Sequence, residues 1–302
     1  MIPTAKAALV AGSRQIFYKQ KFMLLLFVTN SILALIMTIP VSNMLYDNLN
    51  HSLMSDKLAM GFNFIWFTQF MEIYKRGISQ LPLLLYGVAF IYVLINTFYA
   101  GGLISVFNSP QKDHIIDFFY GGVKYWFRFM KVVLVSVLLY VTAFIINSFF
   151  GDFIHYLFYG TENEIWDFSL RAFRYAFLIF MIGIVSIVSD YTKVIMAAEN
   201  SHDLIGSIKK AAIFINQNFR KVFGVFFFVA LLGGLGSVFY NIFDLVIPRT
   251  PYYFLILSFI LQQILVIFRL NIRMLFYSTE VLLYKDLNAE VLEKVELVET
   301  EK

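Results

Sequence analysis

The chain has 302 residues, of which 60% are hydrophobic, 19% aromatic and only 15% charged. Soluble domains run nearer roughly 45–50% apolar and about 25% charged, so a water-soluble globular protein is excluded. Nucleic-acid binding is excluded with it, because the basic residues flank apolar runs instead of forming a basic soluble domain. The net charge of +4 is modest, and the absence of cysteine removes disulfides, thiolate metal sites and thiol nucleophiles.

Apolar runs close to the roughly 20 residues that a helix needs to cross hydrocarbon predict six spans, at 22–45, 83–107, 132–150, 173–197, 222–245 and 252–283. The first is longer than the apolar region of a signal peptide and lacks a small-residue cleavage site, so it is expected to remain as a span. The loop at 46–82 contains an aromatic-rich stretch, 58–74, interrupted by Asn63, Gln69 and Glu72, which reads as a re-entrant or surface-lying helix. Ser109-Pro110 then offers an N-cap and first-turn proline. After it, residues 111–130 carry an apolar row of Ile115, Phe119, Val123, Trp126 and Met130. Residues 203–219 carry a similar row, Leu204, Ile208, Ala211, Ile215 and Phe219, in helical steps of three and four. Each row predicts either a helix lying in the membrane interface or an elbow packed on the bundle. On the interfacial reading Lys124, Arg128, Lys131, Lys209, Lys210, Arg220 and Lys221 face lipid, gaining about 1 kcal/mol each near anionic headgroups. The sixth run is apolar to Phe268 and then meets Arg269 and Arg273, so one helix is expected to leave the bilayer and continue, with 286–302 as a tail.

Basic residues favour the cytoplasmic side of a membrane. With the N-terminus inside, eighteen fall within: Lys6, Arg14, Lys19 and Lys21; Lys112, Lys124, Arg128 and Lys131; Lys193, Lys209, Lys210, Arg220 and Lys221; Arg269, Arg273, Lys285, Lys294 and Lys302. Only six, Lys57, Lys75, Arg76, Arg171, Arg174 and Arg249, fall outside. The expectation is an all-α, multi-pass protein of six spans forming one domain over 1–285, with both termini in the cytoplasm.

An offset of 90 positions aligns Asp113 with Asp203, Ile115 with Ile205, Phe129 with Phe219 and Lys131-Val132 with Lys221-Val222. This predicts an internal repeat of interfacial helix, span, outer loop and span, with a third copy beginning near Ala5.

Ionisable residues inside spans are costly and mark candidate sites. Asp190 and Lys193 stand one turn apart on the fourth span, and Arg269 and Arg273 share a face of the sixth. An intramembrane cluster of these four is expected, with Asp190 pairing to Arg269 or Arg273 across the helices and serving as a helix-to-helix staple or as a transport site. Of the histidines, His114 and His202 fall at helix starts, and no metal-ligand spacing, phosphate loop or nucleophile elbow occurs. No metal, cofactor or catalytic residue is therefore expected.

The stretch Ser189-Asp190-Tyr191-Thr192-Lys193, the break between Ala197 and Asp203, and the helix ending Asn218-Phe219-Arg220-Lys221 before a new span together resemble a pattern in bacterial six-span proteins. These are the membrane domain attached to some glycerophosphodiester phosphodiesterases and the YciC-like inner-membrane proteins. The resemblance implies a bacterial cytoplasmic membrane. The soluble phosphodiesterase barrel is missing, so its activity does not carry over. A non-catalytic accessory or assembly protein is the first expectation, with anionic lipid of the inner leaflet and another membrane protein as partners. A transporter or lipid-handling permease is the second.

Overall fold

A computed structural model of the chain describes residues 5–50, 52–109, 114–158, 164–248 and 253–300. Its regular elements are all α-helices: α1 (Ala5–Tyr18), α2 (Gln20–Leu49), α3 (Met54–Met60), α4 (Phe64–Ile73), α5 (Lys75–Ile78), α6 (Leu81–Asn108), α7 (Ile115–Leu157), α8 (Glu164–Ala198), α9 (Leu204–Gln217), α10 (Phe219–Val246) and α11 (Tyr253–Thr300). Six segments are long and apolar enough to cross a membrane: Gln20–Leu49, Lys75–Asn108, Ile115–Leu157, Phe168–Ala198, Phe219–Val246 and Tyr253–Ala289. Each expected span falls inside one of them, save for residue 252 at the start of the sixth, which lies outside the described residues. The stretch at 58–74 forms only short helices, and α4 is started by Asn63, whose side chain accepts from the Trp66 backbone N–H at 3.0 Å.

Several helices outrun the hydrocarbon. No break occurs at Lys131, and α7 runs unbroken from Ile115 because 115–157 contains no proline or other strong breaker. It begins five residues after the Pro110 start expected for it. His114 precedes its first turn, with its N–H donating to the Asp117 carboxylate at 3.2 Å, while Pro110 itself lies outside the described residues. A break does occur at Asn218, whose side-chain amide donates to the Phe214 carbonyl at 3.2 Å and competes with the helix ladder. Lys19, between α1 and α2, has nearly the same backbone (φ −113, ψ 28) as Asn218 (φ −117, ψ 25).

The chain forms two compact units. Unit 2 comprises Arg14–Tyr99 and Phe228–Phe276. Here α10 packs on α11 through glycines: a Cβ at Gly233 would lie 3.3 Å from Ile272, and one at Gly236 would overlap the Phe268 ring. Small faces of this kind let helix backbones approach. Polar side chains tie α2 to its neighbours, Thr29 with Tyr99 of α6 at 2.5 Å and Gln20 with Asn271 of α11 at 3.2 Å.

Unit 1 comprises Met1–Ser13, Ala100–Phe227 and Tyr277–Lys302. It holds a continuous apolar core of Leu103, Phe107, Phe118, Phe129, Ile187, Tyr191, Ile195, Met196 and Leu283. The hairpin of α7 and α8 is cross-linked by hydroxyls, Ser136 to Ser189 and Tyr140 to Ser186, each at 2.8 Å. Helices α6 and α7 cross at two glycine pairs, Gly101-Gly102 and Gly121-Gly122. The crossing shows which side of α7 is covered by protein. The row Ile115, Phe119 and Val123 points outward, and the packed row is Phe118, Gly121, Gly122, Tyr125 and Phe129. Both sides of this turn are apolar, so periodicity could not say which one protein covers. On α9 the expected row does turn inward at Ala211 and Ile215, joined by Ser207, while Phe219 lies past the break and is exposed.

A buried charge cluster as candidate functional site

The end of α8 is the most polar part of the unit 1 core. Residues 187–197 are almost all buried, and Asp190 finds its partner within its own helix instead of in the arginines expected for it: Lys193 Nζ donates to Asp190 Oδ1 at 2.7 Å. The side chains are 11% and 21% exposed, so the pair is screened little by solvent. Thr192, one residue away, is wholly buried and spends its hydroxyl proton on the Val188 carbonyl.

The structure adds a residue that sequence reasoning missed. Glu280 of α11 is 4% exposed, and neither of its carboxylate oxygens has a hydrogen-bond partner among the described residues. It lies within electrostatic reach of Asp190, Tyr191 and Lys193. Tyr277, one turn earlier on α11, is in reach of Lys193. Ser278 and Thr279 beside it are fully buried, and Ser278 donates to the Gly12 carbonyl of α1 at 3.4 Å. Helix α9 closes the cluster through Phe214, whose ring packs 5.3 Å from Tyr191 and 5.2 Å from Tyr284. A signal was available in the sequence: one acidic residue inside the apolar run 274–284.

The two arginines expected in the same cluster belong to unit 2. Arg273 donates to Asn96 Oδ1 at 2.6 Å, and Arg269 donates to Ser237 Oγ at 3.2 Å.

The seven basic residues expected at lipid divide by what they touch. Lys124, Lys131, Lys209 and Arg220 are exposed. Lys210 is exposed too, yet it pairs with Glu199 at 2.5 Å on the rim of a cleft of about 210 Å³ between α8, α9 and α11, where the Tyr284 hydroxyl also donates to Glu199 at 3.3 Å. Lys221 is half-buried and engaged. Arg128 is committed inside the protein. Its guanidinium donates to Asn200 Oδ1 at 2.9 Å, to the Ser201 carbonyl at 3.3 Å and to the His202 ring. Asn200 sits in the left-handed region at φ 50, and the Ser201 N–H returns to the Met196 carbonyl at 3.1 Å, the hydrogen bond of a Schellman turn. Arg128 thus clamps the turn that aims α9 at the charge cluster. Arg128→Ala should cost about 1 to 2 kcal/mol of stability, through the loss of charge-assisted hydrogen bonds. It should also speed proteolysis or hydrogen exchange at 199–204 specifically; unchanged exchange there would count against the clamp.

At the other end of α7 and α8, His155, Arg171 and Arg174 line a cleft of about 260 Å³ with Asp152, and Arg174 donates to the Asn147 carbonyl at 3.0 Å. Among the described residues no three His, Cys, Asp or Glu side chains are grouped to hold a metal ion. Compared with protein-family models, curated proteins and solved structures, the chain matches none.

Proposed function

We propose that this chain is a non-catalytic accessory or assembly protein of a bacterial cytoplasmic membrane, binding a helix of another membrane protein through the outer half of α11. The observation that carries this reading is Gln262. It stands nine residues into α11, roughly 14 Å along the axis at about 1.5 Å per residue, which is near mid-bilayer. There it is exposed and makes no hydrogen bond among the described residues. Leu255, Ile256, Phe259, Ile260 and Ile264 around it are also exposed. Lipid satisfies the apolar side chains but not the amide, and a polar helix from a partner satisfies both.

Further features support the setting. The eighteen-to-six bias of basic residues favours termini in the cytoplasm. The matched breaks at Lys19 and Asn218 agree with a repeated unit of short helix, elbow and span. Helix α9 leaves Ile205 and Ile213 exposed together with Lys209, as a helix lying against anionic lipid would. The likeness to YciC-like proteins and to the phosphodiesterase-linked membrane domain belongs with this reading.

The cysteine-free chain makes the test direct. A Gln262→Cys variant carrying a photo-crosslinker should capture one membrane protein at unit stoichiometry, and Gln262→Leu should lose that protein on purification in mild detergent while melting like the wild type. Crosslinking to lipid alone, to a second copy alone, or retention of the partner by Gln262→Leu would overturn the reading. A transporter or permease is the second reading, favoured by the buried Asp190–Lys193 pair. Solute flux in proteoliposomes that is abolished by Asp190→Asn would put it first.

A further inference from the structure

The centre of unit 1 contains more negative than positive groups. Asp190 already holds the Lys193 ammonium, and Glu280 is buried beside them with two bare oxygens. Among the described residues the charges that act on Glu280 are those of Asp190 and Lys193, and the phenols Tyr191 and Tyr277 complete the titratable groups around the cluster. Buried carboxylates without donors are strongly disfavoured as free anions, and they are neutralised by whatever cation can reach them. Two carboxylates against one ammonium lack a single positive charge. The surroundings offer carboxylate oxygens, from Asp190 and Glu280, which suit a hard cation. A divalent ion would overshoot neutrality, and among the described residues no third carboxylate or imidazole is grouped there to hold one.

We propose that Glu280, beside the Asp190–Lys193 pair, is the binding site of one exchangeable monovalent cation, a proton or a sodium ion. The cation joins the folded state and has no equivalent site in the unfolded chain, so it stabilises by mass action. The site sits on the part of α11 that belongs to unit 1 and makes no use of Gln262, so its test and the partner test fail independently.

The full-length protein in mild detergent is melted at constant ionic strength in sodium, potassium or choline chloride at pH 8. It is then melted in choline chloride from pH 8 down to pH 5. Glu280→Gln is measured beside it, since the amide keeps the side-chain shape and removes the missing charge. In the wild type, sodium or acid should raise the melting temperature by about 3 °C or more relative to choline at pH 8. A response to sodium over potassium and choline identifies the metal ion, and a response to acid with no salt preference identifies the proton. Glu280→Gln should melt at or above the wild type in choline at pH 8 and lose whichever response the wild type shows. The proposal is overturned if Glu280→Gln keeps the wild-type response, or if the wild type shows neither. It is equally overturned if Glu280→Gln cannot be recovered folded, because a neutral side chain must be tolerated there.

Discussion

Gly121→Val should leave little folded protein, with an expected cost of about 3 kcal/mol or more, at the upper end of overpacking effects. A Cβ at this position would overlap the Ser105 Cβ, lie 2.7 Å from its hydroxyl oxygen and press on the Gly101 carbonyl at 3.2 Å. The serine can rotate, but the carbonyl belongs to the backbone of α6 and can retreat only if the helices separate. Separation would loosen Phe118, which is fully buried and whose carbonyl lies 2.8 Å from a Cβ built on Gly102. Gly102→Ala should therefore reproduce the defect more mildly. Gly224→Ala is the control, since nothing lies within 4 Å of its added Cβ, and helix propensity alone predicts a gain of up to about 1 kcal/mol. The measurement is the fraction surviving heating in detergent, read by size exclusion. A Gly121→Val protein as heat-resistant as the wild type would show that α6 and α7 do not meet at this point.

Lys193→Met is the second large effect. It removes the one cation of a nearly dry cluster and leaves Asp190 and Glu280 facing each other. Breaking a buried pair from one side costs about 3 to 5 kcal/mol, because the remaining charge has nowhere to go. Asp190→Asn alone should cost less, since Lys193 keeps Glu280 as a counter-charge. Adding Asp190→Asn to Lys193→Met should recover part of the loss, and that recovery is the coupling read from a double-mutant cycle of denaturant midpoints. Strict additivity would mean that the two side chains do not share an environment.

These two regions were unequally visible in the sequence, and the reason is physical. Hydropathy reports where a chain prefers hydrocarbon, so the six spans and the polar breaks near Asp203 and Asn218 could be read directly. Hydropathy is silent about whether protein or lipid covers an apolar side chain. Phe118 and Phe119 are adjacent and chemically identical, yet one is fully buried and the other 42% exposed. The glycine doublets at 101–102 and 121–122 were in plain view, but their meaning depends on two helices meeting. Asp190 and Lys193 were found because their spacing of three is a local signal. Glu280 completes their cluster from 87 positions beyond Lys193, and no local pattern connects residues so far apart. Likewise α9 announced its amphipathic face, but not that Phe214 would be wedged between Tyr191 and Tyr284.

Helix α11 is made after α6 to α9, and its stretch from Tyr277 to Leu287 fills the middle of unit 1. Ribosomes deliver the chain from its N-terminus, so α6, α7, α8 and α9 are complete while the seat for Val281, Leu283 and Tyr284 is still vacant. Nascent chains hold that seat unsealed until α11 emerges. A stop codon or a protease cut just before Tyr277 would thus leave the first five apolar spans whole and still yield a chain whose unit 1 lacks the segment that fills its middle.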